Sequence, residues 1–358
     1  MKFSDLKTDC RHFRGDIPCT PHKRHGVHCP ECEWYEPTAE RILIIKLGAV
    51  GDVIRTTPIV RKLKSEFPKC EIHWLTKTPV VIPQQVEQIH KWKQETILSL
   101  QNTPFDIVIN LDKDPEACAL VELIAAKKKR GFIYKAGKPA PADSAAEAKF
   151  LTGVFDDISR ENTKSYLEEL FEICGYTFAG EKYLLSNFAE QGYTWDIPLR
   201  QLIIGLNTGC GGRWKSRLWP EEHWKSLISL LTEKGMGVLL LGGEQEHEKN
   251  SNLAEQTDAF YPGYFPLPKF INLVDQCDLV VTAVTMATHV AIGLQKKIVL
   301  FNNTFNRNEF ELYGLGEIVE PEFDCNCYYA SICPNNCMQY IYPERVAGII
   351  EKLLRTES

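Results

Sequence analysis

The sequence predicts an α/β protein built as two facing Rossmann-like domains with a central cleft, preceded by a Cys-rich N-terminal extension. Three observations carry this reading. Short runs of apolar, mostly β-branched residues recur along the chain, each followed by a glycine turn and a segment of helical periodicity. That pattern occurs twice, first from Arg41 and again from Gln201. Residues 1–40 show no such periodicity and are rich in Cys, His and Pro. The expected division is therefore an extension over 1–40, an N-terminal Rossmann-like domain over 41–190, and a C-terminal one over 191–358 with a cysteine finger at 325–337.

A chain of 358 residues, 44% hydrophobic and 25% charged, is long enough to bury a large core in two domains. No apolar run approaches the roughly 18 residues of a membrane span, and the opening MKFSDLKTDC has no apolar signal core, so a cytoplasmic location is expected. A net charge of -6 argues against general nucleic-acid binding, although residues 127–130 and 213–217 form local basic patches.

The thirteen cysteines are unevenly placed. Cys10, Cys19, Cys29 and Cys32 sit among His12, His22, His25 and His28; Cys325, Cys327, Cys333 and Cys337 form a second group. Thiolate and imidazole clusters of this kind hold zinc or iron and organise segments too short for a core, so both groups are candidate structural metal ligands. Cys70, Cys118, Cys174, Cys210 and Cys277 read as buried small hydrophobes.

In chain order, residues 42–45 form the first buried strand, and Gly48 and Gly51 open the turn that places Asp52 at the start of a helix. Residues 71–76 and 106–111 read as strands, 115–128 as a helix and 131–134 as a strand. The Ala/Pro-rich stretch 135–149 reads as a mobile loop, 165–174 as a helix, and 180–199 as a connector. The second half has strands at 202–206, 238–241, 278–281 and 297–301. Its helices follow Pro220 and Thr285. Its first glycine turn, 207–212, places backbone amides beside Arg213, Lys215 and Arg217, which suits a pyrophosphate. Asp112-Lys-Asp114 has the form of a cation-holding pair, but the surrounding chain does not match that use.

The run IIKLGAVGDVIRTTPIVRKLKSEFP, residues 44–68, closely resembles the opening motif of the family 9 glycosyltransferases, the ADP-heptose-dependent heptosyltransferases. The resemblance extends over residues 41–346 and implies the two-domain GT-B architecture. It puts the catalytic base on Asp52, with Gly51 on the acceptor side; Asp112, which ends a strand in the same half, is a candidate second base or acceptor contact on its position. It implies donor contacts at Thr208, Gly209, Lys215 and Arg217, at Glu246, and at Thr285, Met286, Ala287 and His289. Val284 stands where the family carries an Asp that helps bind the donor. The carboxy-terminal cysteines resemble a finger that holds iron in the protein-modifying branch of the family.

The resemblance implies an inverting, metal-independent transfer of heptose from ADP-heptose to a lipopolysaccharide core sugar. No catalytic metal is expected, and iron or zinc would be structural. The partners expected are the nucleotide sugar and a glycolipid or protein acceptor, with no nucleic acid; peripheral membrane contact and oligomerisation stay open. Val284 keeps two alternatives open: another sugar nucleotide or a protein side-chain acceptor, and a metal-binding scaffold with a decayed cleft.

Overall fold

Ile42, Leu43, Ile44 and Ile45 offer water no polar face, and in the computed structural model, which describes residues 1–185, 193–198 and 202–355, all four are fully buried. In chain order the elements are α1 (Thr20–His25), β1 (Arg41–Ile45), α2 (Val50–Thr56), α3 (Pro58–Glu66), β2 (Glu71–Thr76), β3 (Gln88–Lys91), α4 (Gln94–Gln101), β4 (Phe105–Asn110), α5 (Pro115–Leu123), β5 (Ala126–Lys135) and β6 (Lys138–Pro141). They continue with α6 (Glu147–Thr152), α7 (Asp156–Glu161), α8 (Tyr166–Ile173), β7 (Ile203–Asn207), α9 (Glu221–Thr232), β8 (Gly237–Leu241), α10 (His247–Gln256), α11 (Leu267–Asp275), β9 (Leu279–Ala283), α12 (Met286–Gly293), β10 (Lys297–Phe301), β11 (Gly316–Val319) and α13 (Pro343–Arg355). No helix among the described residues is long and apolar enough to cross a membrane.

The chain folds as two units. The first comprises 1–47, 59–79 and 84–143; the second comprises 48–58, 80–83 and everything from Ser144 onward. The expected boundary at 190/191 lies outside the described residues; the longest continuous piece of the second unit begins at Ser144. Helices α6 to α8 therefore group with the second sheet. Ser165 fastens the start of α8 by accepting the Glu168 amide at 3.2 Å while the Glu168 carboxylate accepts the Ser165 amide at 2.6 Å.

The first unit holds a six-stranded sheet in the order β3-β2-β1-β4-β5-β6, parallel apart from the antiparallel β5–β6 pair. β1 is central, with Ile44 paired to Trp74 on one side and Ile109 on the other. Residues 1–40 belong to this unit. Their backbone is tied down by the Arg11 amide on the Glu36 carbonyl at 2.9 Å and the Thr38 amide on the Asp9 carbonyl at 2.9 Å. Arg11 also reaches Glu87 at 3.0 Å.

Two expectations give way here. The helix expected over 115–128 stops at Leu123, because Ala126 to Gly131 pair in parallel with β4 and ladder hydrogen bonds override the helical spacing. The loop expected over 135–149 is largely ordered: β5 and β6 close a two-residue hairpin at Ala136 and Gly137, both with positive φ, and α6 begins at Glu147.

The second unit holds a parallel five-stranded sheet, β11-β10-β9-β7-β8. Its core joins Ile204, Leu206, Val281 and Phe301 of the strands to Trp224, Leu227, Ile228 and Leu231 of α9 and Val346 and Ile350 of α13. Trp219 stands edge-on to Trp224 with centroids 4.7 Å apart, and its indole N–H donates to the Ile341 carbonyl at 2.9 Å. The packing is tight at Gly205 of β7, where an added Cβ would lie 2.6 Å from Cys277 Sγ and 2.8 Å from Leu241 Cδ1.

Gly205→Ala is accordingly expected to destabilise the protein by about 1–3 kcal/mol, read as a lower urea midpoint. Adding Cys277→Ala should recover part of that loss, since it removes the nearer of the two clashes.

Candidate active site

The carboxyl ends of parallel strands are where open α/β sheets receive ligands. In the second unit four strands deliver their following segments to one cavity of about 950 Å3. From the end of β7 come Asn207, Gly209, Cys210, Arg213, Trp214 and Arg217; after β8, Gly242 to Glu246; after β9, Val284 to Ala287 and His289; after β10, Phe305, Glu309 and Phe310. Helix α2, which belongs to the same unit, adds Gly51, Asp52 and Arg55. The volume is at the upper end of the range for small-molecule pockets.

Asp52 is on the first turn of α2, and its carboxylate pairs with Arg55 three residues on at 2.8 Å. Burial works against the Arg55 charge, but the Asp52 carboxylate, together with Tyr166, Glu309 and Tyr183, holds the guanidinium pKa above its ordinary value. That guanidinium lies 3.5 Å from the centroid of the Tyr166 ring. Gly51 leaves room for the His289 ring, since a Cβ there would sit 2.7 Å from His289 Cδ2.

His289 is buried on α12, with Nδ1 3.4 Å from the Tyr183 hydroxyl. Burial, helped by the Arg55 charge, pulls its pKa down to about 3, so the ring is neutral at pH 7. The start of α12 is capped by Thr285, whose Oγ1 accepts the Ala287 amide at 3.1 Å.

Arg217 is the buried cation of the site. It donates to the backbone carbonyls of Val284 and, at 3.3 Å, Cys210, while its Nε has no hydrogen-bond partner among the described residues. Burial, with the Arg213 charge adding to it, pulls the guanidinium pKa down to about 10, as expected of a charge held away from water without a carboxylate partner among the described residues. An anion in the cavity would restore what burial removes. Trp214 and Phe305 flank the guanidinium at 5.2 and 5.4 Å, and Tyr329 completes an aromatic wall with its centroid 5.1 Å from that of Phe305. The Tyr329 hydroxyl donates to Glu309 at 3.0 Å.

Of the residues expected at the site, Gly51, Asp52, Gly209, Arg217, Glu246, Thr285, Met286, Ala287 and His289 line this cavity. Three are placed elsewhere. Thr208 is buried behind the turn with its hydroxyl on Asn250 Oδ1 at 2.6 Å, and Lys215 is exposed on a one-turn helix, outside the cavity lining. Asp112 is in the first unit, buried, accepting the Lys46 ammonium and the Leu47 amide; burial raises its pKa despite these contacts. Sequence reasoning missed Arg55, Phe305 and Tyr329. The Asp-X-X-Arg spacing on one helix face was a usable signal for Arg55, whereas only the fold brings Tyr329 in.

The two cysteine groups part company. The sulfurs of Cys325, Cys327, Cys333 and Cys337 all lie within 4.8 Å of one another, with 3.4 Å between Cys325 and Cys333 and 3.5 Å between Cys327 and Cys337. A tetrahedral ion with sulfur bonds of about 2.3 Å needs sulfurs roughly 3.8 Å apart, so this donor set fits iron or zinc. Cys10, Cys19, Cys29 and Cys32 do not converge. They line one cavity of about 170 Å3 with His12, His22 and His28, but among the described residues only the carboxy-terminal four form a ligand cluster, which corrects the expected amino-terminal metal site. Their backbones are committed separately. Cys10 bridges to Pro37, Cys19 precedes α1, and Cys29 opens a one-turn helix.

A neutral buried His289 has a thermodynamic consequence. The unfolded chain takes up the imidazole proton near pH 6.5 and the folded one only near 3, so stability should fall as pH drops through that window. His289→Gln should flatten this part of a melting temperature against pH curve.

Comparison with known proteins identifies the family. The description of glycosyltransferase family 9 (heptosyltransferase) matches residues 95–314. Lipopolysaccharide heptosyltransferase 1 of Escherichia coli (strain K12) is 23% identical over 245 residues, which are 60% of this chain and 72% of the relative. Two solved structures share the fold. The E. coli ADP-heptose lipopolysaccharide heptosyltransferase II superposes with a TM-score of 0.65 at 16% identity, covering 88% of this chain and 99% of the other. The iron-containing dodecameric glycosyltransferase TibC from enterotoxigenic E. coli H10407 superposes with a TM-score of 0.56 at 15% identity, covering 90% and 77%. With the family description spanning more than half of its length and a strand-end cavity that gathers Asp52 and Arg217, the chain belongs to glycosyltransferase family 9 and is a glycosyltransferase of the heptosyltransferase kind.

Proposed function

We propose that the protein transfers heptose from ADP-heptose to a sugar hydroxyl of a lipopolysaccharide core, with inversion at the anomeric carbon and without a catalytic metal. The observation that carries the reading is the presence on one cavity of a carboxylate, Asp52, and a buried guanidinium, Arg217, whose hydrogen bonds among the described residues go to backbone carbonyls. Asp52 takes the acceptor O–H proton while that oxygen attacks C1 and the bond from C1 to the diphosphate oxygen breaks. The negative charge that appears on the departing ADP falls to Arg217, to Arg213, and to the amides of the turn after β7. Phe265, Leu267 and Phe270 offer an apolar lining for the nucleoside.

Two features refine this reading. Val284 puts an alkyl group on the cavity wall where the family's motif has an acid, which favours a donor that makes no demand there for a hydrogen-bond acceptor; another sugar nucleotide is the second reading it supports. The four-cysteine finger, matched with the iron-containing fold neighbour, favours iron as its occupant, with zinc equally suited to the sulfurs. A cytoplasmic enzyme that meets a glycolipid at the membrane surface, and assembles as an oligomer, accords with this chemistry.

Asp52→Asn is expected to lower kcat by about 10²- to 10⁴-fold while ADP affinity changes little, measured by turnover and calorimetry on the same preparation. Arg217→Met should lower kcat/KM by about 10²-fold or more and weaken ADP. Titration with ADP, UDP and GDP sugars decides the donor. Binding only to a uridine or guanosine sugar would overturn the ADP-heptose assignment.

A further inference from the structure

The cysteine finger supplies Tyr329 to the cavity wall, and one side chain touches both the finger and the segment that carries Arg217. Asn303 follows β10 by two residues. Its Nδ2 donates to the Ser216 carbonyl at 2.8 Å and to Cys337 Sγ at 3.3 Å, with Cys327 Sγ at 3.9 Å. An amide nitrogen has two protons, and here one goes to the segment carrying Arg217 and the other to the sulfur cluster. The finger's own backbone holds the same segment: the Ser216 amide donates to the Ser331 carbonyl at 2.9 Å, and its hydroxyl to the Ala330 carbonyl at 2.6 Å. Ser216 is thus gripped at its amide, its carbonyl and its hydroxyl by groups that depend on how the finger is folded, and Arg217 is the next residue. The finger also delivers Tyr329 to the cavity wall, its amide on the Thr304 carbonyl at 2.8 Å.

From these contacts we infer that Asn303 is a positioning residue that links the state of the four cysteines to the affinity of the cavity for a nucleotide diphosphate. The inference rests on the nucleotide-diphosphate reading of Arg217 given above. A cluster of four thiolates around an ion fixes the sulfur positions and strengthens N–H···S bonds by charge, as outer hydrogen bonds to metal ligands commonly do. Four loose thiols do neither. With the sulfurs fixed, Asn303 and the carbonyls of Ala330 and Ser331 hold Ser216, and the Arg217 guanidinium is held over the anion site without a carboxylate to place it. With the finger emptied, Ser216 loses these restraints together, and the donor site loosens although no residue in contact with the nucleotide has changed.

The test compares three full-length proteins prepared anaerobically: the metal-loaded wild type, the same protein stripped by a chelator, and Asn303→Leu. Each is measured for metal content, for ADP dissociation constant by calorimetry, and for amide hydrogen exchange across residues 213–218. Stripping is expected to weaken ADP by about tenfold, or about 1.4 kcal/mol, and to speed exchange at the Ser216 amide. Asn303→Leu should retain its metal and still move both readouts the same way. If stripped protein keeps its ADP affinity within twofold and its exchange pattern, or if metal-loaded Asn303→Leu matches wild type in both, the inference is overturned. Should Asn303→Leu fail to fold, Ser216→Ala decides in its place. It removes the hydroxyl contact to Ala330 but leaves Asn303 and the ligands intact, and unchanged ADP affinity would count against the coupling. A loaded wild type that binds no ADP defeats the nucleotide reading instead, and the coupling is then judged on hydrogen exchange alone.

Discussion

At Gly51 the chain has room for a hydrogen and nothing larger, and much of the site depends on that closeness. The His289 ring of α12 occupies the space a side chain would need. Helix α2 can therefore lie against α12 closely enough to bring its first turn, with Asp52, to the edge of a sheet whose strands are far away in sequence. The same contact explains the protonation state of His289. A ring pressed between two helices and facing Arg55 resists protonation, so it serves as a neutral packing element with the Tyr183 hydroxyl 3.4 Å from its Nδ1.

Charge in the cavity is deployed in two ways. Asp52 and Arg55 compensate each other on a single helical turn, with the guanidinium braced on Tyr166, so the carboxylate is oriented before any ligand arrives. Arg217 is the opposite case. It is buried with carbonyl acceptors and aromatic faces around it, an arrangement that leaves its positive charge poorly balanced and directs it into the cavity. A protein stabilised for its own sake would place a carboxylate there; the lack of balance suits a site that meets its counter-charge only when a ligand enters.

Much of this was legible in the residues. Buried strands read plainly because fully apolar runs such as 42–45 and 279–281 have few other uses, and the glycine turns that follow them marked the edge where ligands bind. Local patterns misled where longer-range pairing decided the outcome: residues 126–130 have helical and charged character, yet β4 offered a ladder, and 138–141 became a strand because Ala136 and Gly137 could turn tightly. Thr208 matched a motif, but its hydroxyl had a nearer acceptor in Asn250. The two cysteine groups show the same limit. Composition spoke equally for both, and only the course of the backbone brought one set of four sulfurs within ligand distance of one another while the other set lines a shared cavity without clustering in this way.

The four segments that wall the cavity each follow a different strand, and each brings a different kind of group: cations and amides after β7, acids after β8, a capped helix start after β9, aromatic rings and an acid after β10. Past Asn207, Leu241, Ala283 and Phe301, where the registers end, the side chains of these segments are not needed for the sheet's own ladder. Selectivity for the transferred sugar can thus drift one segment at a time, by exchanges such as an acid for Val284, while the apolar strands beneath stay under a separate and stricter constraint of volume. In such a scaffold the history of substrate preference would be recorded at strand ends and the history of folding in strand interiors, as two largely independent traits of one chain.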